Sequence, residues 1–544
     1  MLERIADLTW RRPKLVLGLV ALFMVVAVAA GRDVEQHLKA AGFADSESES
    51  ERATALLRDA LGYDANPGIV VLVRAPDGGR LDVRDPGVRR EVGRISSQLA
   101  KAEHVGRVVD PVRSGRRGRA LIARDGHSLV ITGHLSTQDV EEDGGQAAED
   151  AQERIASDTL DVSMGGFAPS FNEVNDQTRS DLTKAELIAF PVLAVLLLLV
   201  FRGVVAAGIP LLIGVVSILG TFLVLRVMAT FVDTSLFALN IATGLSLGLA
   251  VDYALLLVSR YREELEKDGA TRDAHRNTVL TAGRTTVFSG FTVAVAMAAL
   301  GILPQRFLYS MAVAGAAVAL LSALIAILVV PSLLSLLGDR VNALAVRRGP
   351  AVSDESTGWY RLARGVMRRP LPVALATFAV LIAAAVPLLS TVLTGPSAEA
   401  VPPTQPSYDT NEYVEAHYAR GVVEAMTITV DGRASDGDLK RLSAEISAVD
   451  GAGRAPPFTR ASEDVAFVNV APEQPALSRR SQDAVDRIRE LDPPRASSIV
   501  VSGNTARFMD QKQSLADHLP LVVAIVAAAT FVLLFLLTGS IILP

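Results

Sequence analysis

The 544-residue chain carries 53 Lys and Arg against 59 Asp and Glu, is 50% hydrophobic and 21% charged, and contains no cysteine. A mean hydropathy of +0.34 is too high for an ordinary soluble domain and excludes disorder or a fibrous repeat. The net charge of −6 offers no basic excess for a nucleic-acid partner. The missing cysteines exclude disulfides, thiolate zinc sites, a thiol nucleophile and cysteine-held iron–sulfur clusters.

Runs of about 20 apolar residues predict membrane-spanning helices. The first run covers Lys14 to Ala30, and a mostly polar stretch follows it. Five more runs come in succession at about 186–201, 204–225, 234–258, 285–303 and 308–337. After a linker rich in Arg, Gly and Ser the pattern restarts, with a seventh run at 371–393, a second polar stretch and an eighth run at 518–537. Clusters of basic residues fall on one side: Arg11, Arg12 and Lys14 before the first run, Arg260 to Arg284 between the fourth and fifth, and Arg340 to Arg369 between the sixth and seventh. That side is the cytoplasm by the positive-inside rule, so the N-terminus is cytoplasmic and both polar stretches lie outside.

The two halves share landmarks. Arg11-Arg12-Pro13 opens the first run and Arg368-Arg369-Pro370 the seventh; Gly166 to Phe171 matches Gly503 to Phe508, each before a polar helix and a span with an early proline, Pro191 or Pro520. Such parallel repeats are a recurrent transporter plan. Each polar stretch reads as an α+β module. The first has strands at Gly68–Ala75, Ser128–Leu135 and Leu160–Gly166 with helices at 85–101 and 138–157. The second has strands at 425–430, 465–470 and 498–503 with helices at 436–449 and 478–491. Each resembles a split βαβ layer, and no phosphate-binding loop or metal-ligand cluster is present in either. The seven His residues read as surface groups, and acidic Asp45 to Glu51 as a linker or helix start.

An ionisable residue inside a span is a functional candidate, because desolvating its charge is costly unless it is partnered or protonated. Asp252 is the acid that qualifies; Glu186, Asp233 and Asp517 fall at span ends. At helical spacing Gly244, Gly248 and Asp252 share a narrow strip, and small residues there let another helix approach closely. This predicts that Asp252 faces the bundle interior and exchanges a proton, with Tyr253 orienting it and Ser289 and Thr292 on the fifth span packing around it. An Asp held by those hydroxyls without titrating, and a bound Na⁺ in place of a proton, are the competing readings.

Gly248-Leu249-Ala250-Val251-Asp252-Tyr253-Ala254-Leu255-Leu256-Leu257 and the following Val258 to Glu264 resemble the fourth-span signature of MmpL-type transporters, a branch of the resistance-nodulation-division (RND) superfamily; Thr285 to Pro304 resembles that family's fifth span. The resemblance implies an RND-like duplicated plan: an α-helical polytopic membrane protein, here with about eight transmembrane helices, and two α+β periplasmic porter domains. The expected division is the N-terminus and first span at 1–31, a porter domain at 32–184, spans two to six at 185–338, a cytoplasmic linker at 339–369, span seven at 370–393, a second porter domain at 394–516, and span eight with the start of the next at 517–544. It further implies export of lipids or other hydrophobic compounds across the inner membrane of an actinobacterium, driven by the proton gradient and without enzyme activity, metal or cofactor, with Asp252 and Tyr253 as proton relay. The family plan has twelve spans with a second Asp-Tyr pair on the tenth. This sequence reaches eight, which implies a truncated product, a complementary polypeptide supplying the rest, or a non-transporting lipid-binding scaffold.

Overall fold

In the computed structural model, residues 1–38, 42–115, 117–232, 234–344, 358–387, 401–419, 421 and 425–541 are described. Asp233, the linker residues 345–357, the end of the seventh run at 388–393 and the final 542–544 lie outside them. The first half begins with a short amphipathic helix α1 (Leu2–Arg11) and α2 (Pro13–Gly31), then α3 (Glu49–Leu61), β1 (Ile69–Arg74), α4 (Pro86–Leu99), β2 (Val105–Val109), β3 (Ser128–Leu135), α5 (Val140–Arg154) and β4 (Asp161–Gly165). Long helices follow: α6 (Phe167–Phe201), α7 (Val204–Met228), α8 (Leu236–Asp268), α9 (Arg272–Ala299) and α10 (Arg306–Leu337). The second half repeats the order with α11 (Gly358–Arg368), α12 (Pro370–Ala385), α13 (Pro406–His417), β5 (Met426–Gly432), α14 (Asp436–Ser447), β6 (Thr459–Arg460), β7 (Val465–Val470), α15 (Arg479–Arg489), β8 (Ser497–Ser502) and α16 (Asn504–Thr538).

Among the described residues seven helices are long and apolar enough to cross a membrane: α2, α6 to α10 and α16; α11 and α12, bent by 100° at Arg369, make an eighth if they count as one span. The chain is therefore a mostly helical, multi-pass membrane protein. The linker expected at 339–369 contains a helix, α11, because its Trp, Tyr, Leu, Val and Met recur at helical spacing between arginines. In the bundle α10 is wrapped by α7, α8 and α9. A Cβ at Gly290 of α9 would lie 2.6 Å from the Ala323 Cβ of α10, so the missing side chain sets their approach.

Each module is a four-stranded antiparallel sheet, ordered β2-β3-β1-β4 in the first and β6-β7-β5-β8 in the second. Read with its two crossover helices, each is a split βαβ layer. β1 pairs with β3 from Ile69↔Gly133 to Arg74↔Ser128, and β5 with β7 from Met426↔Val470 to Asp431↔Val465. Asp85, Asp139, Ser435 and Ser478 cap α4, α5, α14 and α15 through backbone N–H groups of the first turns.

The sequence alone shows no sign of β2, β6 or α13 and only the start of α3, within Asp45 to Glu51; α3 and α13 form the main link between the modules. Ile69, Val71 and Val73 pack on the first module's own helices, whereas Val70 and Leu72 on the opposite face meet Val414 and Tyr418, from α13 and its C-terminus. Reciprocally, α3 packs Leu56, Leu57 and Ala60 against Val465 and Phe467 of the second sheet. Polar contacts repeat the exchange: the Ser50 N–H donates to Asp510 at 2.8 Å, and the Ser407 N–H donates to Glu173 at 3.1 Å. Gly166 and Gly503, at φ +97° and +103°, open α6 and α16, and a Cβ at either would sit within 3 Å of a backbone carbonyl oxygen.

Candidate functional site

The helix α8 continues unbroken through Asp252 and on to Asp268, since Leu, Ala and Val fill it and the Ser235 hydroxyl caps its start. Its covered face carries Ala242, Ser246, Ala250, Tyr253, Leu257 and Tyr261, packed against α7, α9 and α10. Asp252 is exposed, as are Gly244 and Gly248, and a Cβ at either glycine would meet nothing within 4 Å. The sequence predicts an interior carboxylate; among the described residues no helix covers it. Helical periodicity places three residues on one strip, and the neighbours among the described residues all pack on other faces.

Tyr253 lies on the covered side of the same helix. Its hydroxyl is buried beside Ser289 and Gly290 of α9 without a hydrogen bond of good geometry. The Thr292 hydroxyl donates to the Phe288 carbonyl of its own turn at 2.8 Å, so it is not the Asp252 partner the sequence suggested. No hydrogen bond or ion pair of the Asp252 carboxylate occurs among the described residues. The arrangement is an uncompensated acid on an open small-residue strip, with an unsatisfied phenol one residue on. Asn240 is partly buried and Thr243 buried, its hydroxyl bonded to the Leu239 carbonyl at 3.0 Å.

The bundle meets the modules at Phe43. Its ring centroid lies 4.8 Å from Phe307 of α10, 5.1 Å from Phe237 of α8 and 6.0 Å from Phe171 of α6. Its backbone N–H donates to Glu141 of α5 at 3.1 Å, and its carbonyl accepts from Gln511 of α16 at 3.2 Å. Arg306, at the start of α10, pairs with Asp139 at 2.7 Å, and the Phe307 N–H donates to the Gly42 carbonyl at 3.1 Å. This cluster joins α8 and α10 to α5 of the first module and α16 of the second.

Two groups of charged or titratable residues escaped the sequence reading. In the first, Arg507 of α16 pairs with Glu51 at 2.8 Å and lies near Glu141 and Asp64; burial pushes both of the latter carboxyls up. Arg507 stands inside the Gly503 repeat landmark where the first copy has Ser170, which was the available signal. The second concerns histidines. His275 is buried and 3.0 Å from the Thr9 hydroxyl, anchoring α1 to α9, and partly buried His134 has its titration lowered to about 4 by burial. Neither is the surface group expected.

Between the modules opens a cleft of about 1180 Å³, lined from the first by Asn66, Leu121, Thr132 and His134 and from the second by Lys440, Arg454, Phe458 and Asn469, among others. Among the described residues no group of His, Cys, Asp and Glu is arranged to hold a metal.

The chain matches the MMPL family over residues 42–373. It is 34% identical to a membrane protein of Streptomyces coelicolor over all of its own length and 74% of that protein's. It is 28% identical to the trehalose monomycolate exporter MmpL3 of Mycolicibacterium smegmatis and 27% to that of Mycobacterium tuberculosis, with 97% of this chain aligned in both cases. The chain spans 57% and 60% of those exporters' lengths. The matched exporters are named as transporters rather than enzymes. On the family match and on the likeness to the Streptomyces protein, this chain belongs to the MMPL family.

Proposed function

We propose that the chain is a proton-coupled unit of a lipid exporter, set in the bacterial inner membrane with a cytoplasmic N-terminus and with both modules outside as porter domains. The observation that carries this reading is Asp252: a carboxylate in the apolar stretch of α8 with no ion pair or hydrogen bond among the described residues. A charge there is costly, and taking up a proton removes the cost, so protonation changes what α8 packs against. Tyr253, with its buried and unsatisfied hydroxyl, is the second member of the relay. The open strip at Gly244 and Gly248 is the landing surface for a further helix of the twelve-span plan. Lipid as cargo is supported by the exporters the chain resembles, and the cleft between the modules is the path it takes.

The test is efflux of a fluorescent lipid from proteoliposomes under an imposed pH gradient, with the chain alone and with a candidate complementary fragment. Asp252→Asn keeps size and polarity but carries no exchangeable charge. A pump loses gradient-dependent efflux by at least tenfold in this variant; a lipid-binding scaffold shows no such efflux before or after the change. Replacing the proton gradient with a sodium gradient separates the two coupling ions.

A further inference from the structure

The charge in the cleft is all on one wall. Among its lining residues the first module contributes none of Asp, Glu, Lys or Arg, and His134 there is neutral at pH 7 because burial lowers its titration to about 4. Its Nδ1 donates to the Asp64 carbonyl at 3.0 Å, which leaves Nε2 as an acceptor beside Thr132. The second module contributes Lys440, Arg454, Arg460 and Asp436. Asp436 and Arg460 neutralise one another at 2.7 Å. Lys440 and Arg454 make no ion pair among the described residues; the neighbouring acids Asp438 and Glu445 face Arg441 instead. The space therefore carries two uncompensated positive charges, in a chain whose net charge is −6. Beside them lie the apolar side chains of Leu439, Pro457 and Phe458.

We infer that the cleft selects an anionic amphiphile, a lipid whose phosphate headgroup keeps a net negative charge with no cation of its own, held by Lys440 and Arg454 while its acyl part lies on the apolar lining. This rests on the reading of the cleft as the cargo path and adds a headgroup preference to it. Lys440 stands on α14 and Arg454 on the loop that follows it, so both cations come to the headgroup from one wall. Arg454 can take two phosphate oxygens in a fork and Lys440 acts as a point charge. The first wall, with neutral His134, Asn66 and Thr132, tolerates a polar uncharged extension of the headgroup and repels neither charge state.

The chain lacks cysteine, so Ala120→Cys, on the exposed lining of the first wall, takes a single environment-sensitive fluorophore. The purified full-length chain in detergent is titrated with dioleoyl phosphatidylglycerol and, separately, with dioleoyl phosphatidylcholine, then again with Lys440→Gln and Arg454→Gln combined. The expected result is about three- to tenfold tighter binding of the anionic lipid, a preference that falls with salt and disappears in the double variant, while the affinity for phosphatidylcholine is unchanged. The charge-conserving pair Lys440→Arg and Arg454→Lys keeps the preference, which separates charge from damage to the fold. Equal affinity for the two lipids overturns the headgroup preference and leaves the cargo path standing. A reporter that responds to neither lipid removes both readings. The same response to inorganic phosphate alone, at the affinity of the anionic lipid, overturns a lipid as the ligand.

Discussion

Asp252 and Tyr253 are adjacent in sequence and point to different sides of α8, the acid onto an open strip and the phenol into the seam with α9. On the proposed relay, the proton is taken up on one face of the helix and the packing changes on the other. Tyr253→Phe removes the hydroxyl without creating a cavity, and because that hydroxyl has at most a poorly aligned contact with Ser289 to lose, thermal stability in detergent is expected to change by less than about 1 kcal/mol while gradient-driven efflux falls. His134 gives a second residue-scale prediction. Its folded form titrates near 4 rather than 6.5, so the folded state binds fewer protons than the unfolded chain between those values. The stability it contributes is present above pH 6.5 and is lost as pH falls toward 4, by up to about 3 kcal/mol. His134→Gln is expected to flatten the melting temperature over that window, measured by thermal denaturation at pH 7, 6, 5 and 4.

Elements explain how the site is coupled to the cleft. α8 and α10 touch along their length and both end at Phe43, whose backbone is gripped by α5 of the first module and α16 of the second. Phe43→Ala opens a gap among three helices and leaves Asp252 untouched. It is expected to cost a few kcal/mol in stability, up to about 3, and to reduce efflux more than lipid binding, a split read by comparing transport with the cleft fluorophore. Gly290→Ala presses a methyl group against Ala323, where 2.6 Å is available, and overpacking of this kind costs about 1–3 kcal/mol. Its melting temperature is expected to fall, and the pairing of α9 with α10 to loosen in hydrogen exchange.

For the whole molecule the exchange of α3 and α13 matters most. Each sheet packs one face on its own two helices and the other on a helix from the other half, so one face of each sheet is covered only by the opposite half. The modules are expected to lose protection together: Val414→Asp, on α13 of the second half, should raise hydrogen exchange in β1 of the first by at least tenfold. The same change in a protein with independent modules would act only locally.

The apolar runs, the duplicated landmarks and most strands were legible because each is written in consecutive residues: about 20 apolar residues for a span, a short β-rich segment for a strand, an acid or serine for a cap. The run Gly68 to Ala75 is apolar at consecutive positions, as a strand buried on both faces requires, but does not say what covers the second face. α13, more than 300 residues further on, is the answer, and no local pattern contains it. At the candidate site the same boundary holds. Periodicity fixed that Gly244, Gly248 and Asp252 share a face, because side-chain direction follows from 3.6 residues per turn. Which face a neighbour covers depends on where α7, α9 and α10 pack, and Asp252 came out exposed. The sequence by itself determined the membrane-spanning character, the internal repeat and the membrane acid; the tertiary structure alone decided the exchanged helices, the Phe43 junction and the one-sided charge of the cleft, since each joins residues that only packing brings together.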